Sequence, residues 1–247
     1  QKVQKQKRTS WTIFTGGGST NMAKPSVHSF DRLLAEFIGT FALVFASAGA
    51  AILMSPRGFL GFIGVGLATG LTLLAMIYAF AHVSGAHFNP AITFAMAATR
   101  RIRGEEALGY VVAQLLGSIL AALLLVTIVP RAAVVHIGVT DVNIGVSWSA
   151  AVLAEAVMTF LLVTVIFALA VDRRGAGEMI GLAVFGVVAS AHISIGVLTG
   201  AALNPARAFG PALVSGYWAT QSVYWFGPLM GALAAALAYE YVLRPKR

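Results

Sequence analysis

The apolar positions of this chain do not alternate with polar ones, nor do they mark one face of a helix; they run on without a break. Six stretches, about 30–54, 60–82, 106–129, 148–171, 178–197 and 221–243, each approach the ~20 residues a helix needs to cross a hydrocarbon core. Two polar segments interrupt the pattern, "SGAHFNPAIT" (Ser84 to Thr93) after the second stretch and "TGAALNPARA" (Thr199 to Ala208) after the fifth. The apolar runs that follow them, "ITFAMAA" and "RAFGPALV", hold only about ten residues and are too short to span. The pattern therefore predicts an all-α membrane protein of six transmembrane helices and two re-entrant half-helices.

The two halves repeat. "EFIGTFALV" (Glu36 to Val44) matches "EAVMTFLLV" (Glu155 to Val163) at Glu, Thr, Phe, Leu and Val, as "SGAHFNPA" matches "TGAALNPA". Repeat one covers about 30–129 and repeat two about 148–243. Each has three spans, so the second enters the membrane upside down relative to the first. An inverted repeat with two broken segments places the working site near the bilayer midplane.

Composition agrees with this reading. Of 247 residues, 58% are hydrophobic and 11% charged, with a mean hydropathy of +0.84, too little charge to cover a soluble surface. Cysteine is absent, which excludes disulfides, thiolate metal sites and cysteine nucleophiles; no cofactor or metal is expected. The net charge of +8 could point to nucleic acid, but the basic residues gather at span ends and set topology instead. Lys2, Lys5, Lys7, Arg8, Lys24 and Arg32 precede the first span. Arg100, Arg101 and Arg103 follow the first half-helix, Arg173 and Arg174 separate spans four and five, and Arg244, Lys246 and Arg247 end the sequence. Six spans put all of these on one side, with both termini cytoplasmic and only Arg57 and Arg131 opposite. Residues 1–28, basic and then rich in Gly, Ser and Thr, read as a flexible tail ahead of one channel-sized domain, 29–247. No cleavable leader is expected, since the first long apolar run begins after about thirty mostly polar residues.

Asparagine is among the best N-caps and proline suits the first turn, so Asn89-Pro90-Ala91 and Asn204-Pro205-Ala206 read as two helix starts. The inverted repeat brings them together from opposite faces. Each Asn oxygen can accept from its own helix, leaving the amide N–H groups facing outward as donors. Two helix ends, each worth about half a positive charge, would repel cations and orient a passing dipole.

On these paired "(S/T)GA-x-x-NPA" motifs, and over about Arg32 to Leu243, the chain resembles the aquaporins, the major intrinsic protein family. The resemblance implies a right-handed helical bundle, a passive water pore in each subunit and a homotetramer in membrane lipid. It also implies a constriction formed by Thr69, His192, Ala201 and Arg207. Glycerol-conducting members usually carry Asp where Ala208 stands, and a Pro-Leu-like pair where Tyr224-Trp225 stands; with Ala212, these marks resemble water channels. Thr69 departs from the phenylalanine frequent in water channels, so ammonia, hydrogen peroxide, glycerol or urea stay open as alternative solutes.

Glu36 and Glu155 lie deep in spans one and four, where a carboxylate costs a few kcal/mol. They read either as a proton relay or, as the resemblance implies, as acceptors bracing the re-entrant loops. His87 reads as holding its loop, His82 leaves a vestibule or gating role open, and Gly66/Gly70 and Gly227/Gly231 have the spacing of close helix contacts. A secondary transporter shares the inverted repeat but would need a coupling-ion site, for which only the paired glutamates offer ligands. An intramembrane enzyme has no catalytic grouping to build on.

Overall fold

The structure, a computed structural model, describes residues 28–54, 58–129 and 138–243, with backbone alone for 58–60. The tail expected over 1–28 (save its last residue), Arg57, Arg131 and the terminal Arg244, Lys246 and Arg247 lie outside the described residues.

Among the described residues, eight α-helices follow in order: α1 Ser29–Met54, α2 Gly58–Ser84, α3 Pro90–Ala98, α4 Gly104–Ile128, α5 Trp148–Ile166, α6 Ile180–Thr199, α7 Pro205–Ser215 and α8 Val223–Ala238. A π-helical turn extends α5 over Phe167–Val171, and another extends α8 over Tyr239–Leu243. With these turns, six helices are long and apolar enough to span, and α3 and α7 are the two short ones. The six spans expected from hydropathy match to within a few residues at each end.

The packing is two-fold. α1 packs on α2 and α4 in the first half, α5 on α6 and α8 in the second, and α2 meets α6 between them. Each half-helix crosses over: α3 lies against α8, and α7 against α4. Small residues allow these approaches. A Cβ on Gly231 would come within 2.1 Å of the Ala156 carbonyl oxygen, and one on Gly117 within 2.4 Å of that of Phe37. Gly66 and Gly70 do the same between α2 and α6, against His192 and Phe185. Leu116, Leu120, Leu153, Val157 and Leu161 stay exposed on the outside, as expected of a surface that meets lipid tails or another subunit rather than water.

Where α5 and α8 end, Phe167 packs on Tyr239, and Arg101 lies over the Phe167 ring while pairing with Glu240. The Tyr239 hydroxyl donates to Asp172.

Candidate pore and constriction

Both half-helices start as the sequence predicts, on an extended Asn followed by Pro. Asn89 Oδ1 accepts from Ala91 N–H at 2.8 Å; Asn204 Oδ1 accepts from the N–H groups of Ala206 and Arg207 at 2.9 and 3.3 Å. The amide groups differ from expectation. Neither is wholly free to face outward: Asn89 Nδ2 donates to the Leu203 carbonyl at 2.9 Å, and Asn204 Nδ2 to the Phe88 carbonyl at 2.8 Å. An amide has two hydrogens, so each asparagine ties its own helix start to the opposite loop with one and retains the other.

The loops ahead of these caps are strained in matching places. Ala86 and Phe88 sit at φ 52° and 49°, Ala201 and Leu203 at 50° and 53°, each pair following a left-handed glycine, Gly85 or Gly200. Left-handed non-glycine residues cost about 1–3 kcal/mol each and persist only where the surroundings over-determine them. The surroundings here are two buried carboxylates. Glu36 accepts from the His87 and Phe88 N–H groups at 2.9 and 2.7 Å, from Ser84 at 2.6 Å and from Gln114 at 2.8 Å. Glu155 accepts from the Ala202 and Leu203 N–H groups at 3.0 and 2.7 Å and from Thr199 at 2.6 Å.

Sequence reading missed the partners that complete these nests. The Tyr110 and Tyr224 hydroxyls donate to the carbonyls of Ser84 and Thr199 at 2.8 and 2.7 Å, each where a long helix gives way to a loop. Their nearly equal spacing in the repeats, 26 residues after Ser84 and 25 after Thr199, was visible as a signal. Gln114 has no such counterpart, because the matching place on α8 holds Pro228. His87 bonds Thr93 through Nδ1 at 3.1 Å and packs its ring edge on Tyr110, while also lining the cavity described next. His82 is exposed and does not line it.

One cavity runs along both loops. α2 lines it at Thr69, Leu73, Ile77 and Ala81, and α6 at Ile180, Val184, Val188 and His192, one residue per turn. Gly66 meets His192 and Gly70 meets Phe185, so Thr69 and His192 lie toward one end; Ala201, Arg207, Asn89 and Asn204 also border the cavity. The walls of α2 and α6 beyond that end are aliphatic. The polar contribution comes from the loops.

The Thr69 hydroxyl donates to the Val65 carbonyl of its own helix at 2.6 Å. His192 Nδ1 lies 2.9 Å from the Val188 carbonyl, which can only accept, so Nδ1 carries hydrogen and neutral Nε2 is an acceptor. Arg207, 4% exposed, donates through Nη1 to the Gly138 carbonyl at 3.1 Å. Among the described residues, no group of three or more His, Cys, Asp or Glu could hold a metal ion.

The model of the family described as "MIP: Major intrinsic protein" matches residues 23–239. The chain is 38% identical to Aquaporin AqpM of Methanothermobacter thermautotrophicus over 241 residues, covering 85% of this chain and 96% of that protein. It is 43% identical to Aquaporin TIP4-4 of Zea mays over 217 residues, with 84% of each covered. Among solved structures it resembles the aquaglyceroporin from Plasmodium falciparum, with a TM-score of 0.78 and 25% identity, covering 88% of this chain and 98% of that one.

Proposed function

The chain belongs to the major intrinsic protein family, whose members are multi-pass membrane channels rather than enzymes, and from that membership we propose that it is a passive water channel. One observation supports the reading: Thr69, His192, Ala201 and Arg207 all line a cavity that also passes two asparagine-capped helix starts. Arg207 is a fixed cation with five donors, and His192 Nε2 offers an acceptor nearby. A water molecule entering there exchanges bulk partners for fixed ones, so the step is cheap for a small dipole. A cation meets Arg207 and then two positive helix ends, and is refused. Glu36 and Glu155 act as braces: Glu36 accepts from four loop and side-chain donors and Glu155 from three, which supports a bracing role over that of a coupling-ion ligand.

The protein works as a homotetramer with one pore per subunit and both termini on the cytoplasmic side. The exposed aliphatic faces support that assembly, and the Lys/Arg census supports that orientation.

Stopped-flow light scattering on proteoliposomes tests the function. A sorbitol step should give fast shrinkage with the low activation energy of water diffusion, and no proton current should scale with protein density. A second reading is a path for small neutral solutes, favoured by the small Thr69 and by the likeness to an aquaglyceroporin. It predicts rapid reswelling when glycerol replaces sorbitol.

A further inference from the structure

α7 carries Arg207 on a turn whose hydrogen bonding is shared with a neighbouring helix. In an α-helix, the Gly210 N–H is the partner of the Ala206 carbonyl. Here the hydroxyl of Ser118, fully buried on α4, serves both: it donates to the Ala206 carbonyl at 2.5 Å and accepts from the Gly210 N–H at 3.0 Å. The next rung is missing, because Pro211 has no N–H to give the Arg207 carbonyl. The turn bearing Arg207 therefore depends on a side chain 88 residues away in sequence.

Two glycines make the insertion possible. A Cβ on Gly210 would come within 2.2 Å of Ser118 Oγ, and one on Gly117 would meet the Phe37 carbonyl of α1. α4 is thus pressed between α1 and α7 with Ser118 at the contact. The arrangement is one-sided. Tyr110 and Tyr224 occupy equivalent places in the two repeats, and eight residues beyond them stand Ser118 and Ala232. Ala232 has no hydroxyl, so α3, which carries no arginine at its first turn, gets no such insertion.

We infer that Ser118 is a positioning residue for Arg207, its hydroxyl setting the turn from which the guanidinium reaches the constriction. This rests on the reading of Arg207 as part of the filter. Without the hydroxyl, the Gly210 N–H and Ala206 carbonyl still have each other as ordinary helical partners, so the fold loses little while the turn bearing Arg207 shifts.

The test is the ratio of glycerol to water permeability in proteoliposomes for Ser118→Ala, Ser118→Thr and Arg207→Val, with tetramer content checked for each. Ser118→Ala is expected to assemble and to raise the ratio at least about threefold, the size of one modest hydrogen bond. Ser118→Thr, which keeps the hydroxyl, should hold the wild-type ratio; a shift as large as that of the alanine variant counts against the proposal. An unchanged ratio in Ser118→Ala beside a raised one in Arg207→Val overturns the role of Ser118 and leaves the filter standing. An unchanged ratio in Arg207→Val removes the filter reading and this inference with it. If the alanine variant does not assemble, Ser118→Cys, similar in size but a weak donor, is read in the same assay, and an unchanged ratio there overturns the proposal.

Discussion

The Gly138 carbonyl oxygen receives Nη1 of Arg207 at 3.1 Å, so a residue in the connection between α4 and α5 holds the arginine that lines the cavity. Gly138 sits at φ 65°, and a Cβ there would fall 2.5 Å from the Ala48 carbonyl oxygen on α1. The connection is fixed further along by Asp141, which accepts from Tyr217 at 2.7 Å and from Thr220 at 2.8 Å.

Gly138→Ala should therefore be costly twice over, once for the left-handed backbone, about 1–2 kcal/mol, and again for the clash. The expected outcome is a tetramer of lower thermal stability with a raised glycerol-to-water permeability ratio. Wild-type values of both would separate Gly138 from the placement of Arg207.

Removing a loop brace should cost stability before selectivity. Glu36→Ala strands donors from Ser84, His87, Phe88 and Gln114, and Glu155→Ala strands those from Thr199, Ala202 and Leu203. Each buried donor left unpaired costs about 1–3 kcal/mol, so Glu36→Ala should be the more damaging. Folded yield and melting temperature in detergent check the order. A well-folded variant whose flux had lost dependence on a proton gradient would favour the transporter reading.

His192→Gly removes the imidazole from the constriction and should admit glycerol or urea while water flow persists or rises. Thr69→Phe should narrow the same aperture; since the Thr69 hydroxyl already serves Val65, the change is mainly one of volume. Both residues line one cavity, so a double-mutant cycle in glycerol permeability should be non-additive. Additive effects, or glycerol excluded in His192→Gly, would put the constriction elsewhere.

Beyond the end of the span that contains α5, hydrogen bonds from the Arg174 side chain and backbone, with a further one from Tyr239, hold the Asp172 carboxyl below the usual carboxylate range. A lowered folded value contributes stability that is present above the unfolded value, about 3.9, and is lost as pH falls below it. Asp172→Asn should therefore lower the melting temperature near neutral pH, with the gap to wild type closing only in strong acid. A gap that closed between about pH 5 and 7 would assign the transition to another group.

The spans, the half-helices and the repeat were legible in the sequence because each is set by neighbours. Twenty apolar residues make a span whatever surrounds them, and Asn-Pro makes a helix start through bonds to N–H groups two and three residues away. The two glutamates stood out because a carboxylate in an apolar run is costly without partners. The sequence could not say which partners, because those bonds join residues far apart: Arg207 to Gly138 over 69 positions, Ser118 to Ala206 over 88, Asn204 to Phe88 over 116. Nothing in "Gly138" or "Ser118" marks either beside any other glycine or serine in an apolar chain. Only when α4 closes on α7 and the two loops meet does a single hydroxyl or carbonyl acquire one donor to serve. The amide hydrogens of the asparagines followed the same rule: local chemistry assigned them as donors, and the tertiary approach of the opposite loop spent one from each.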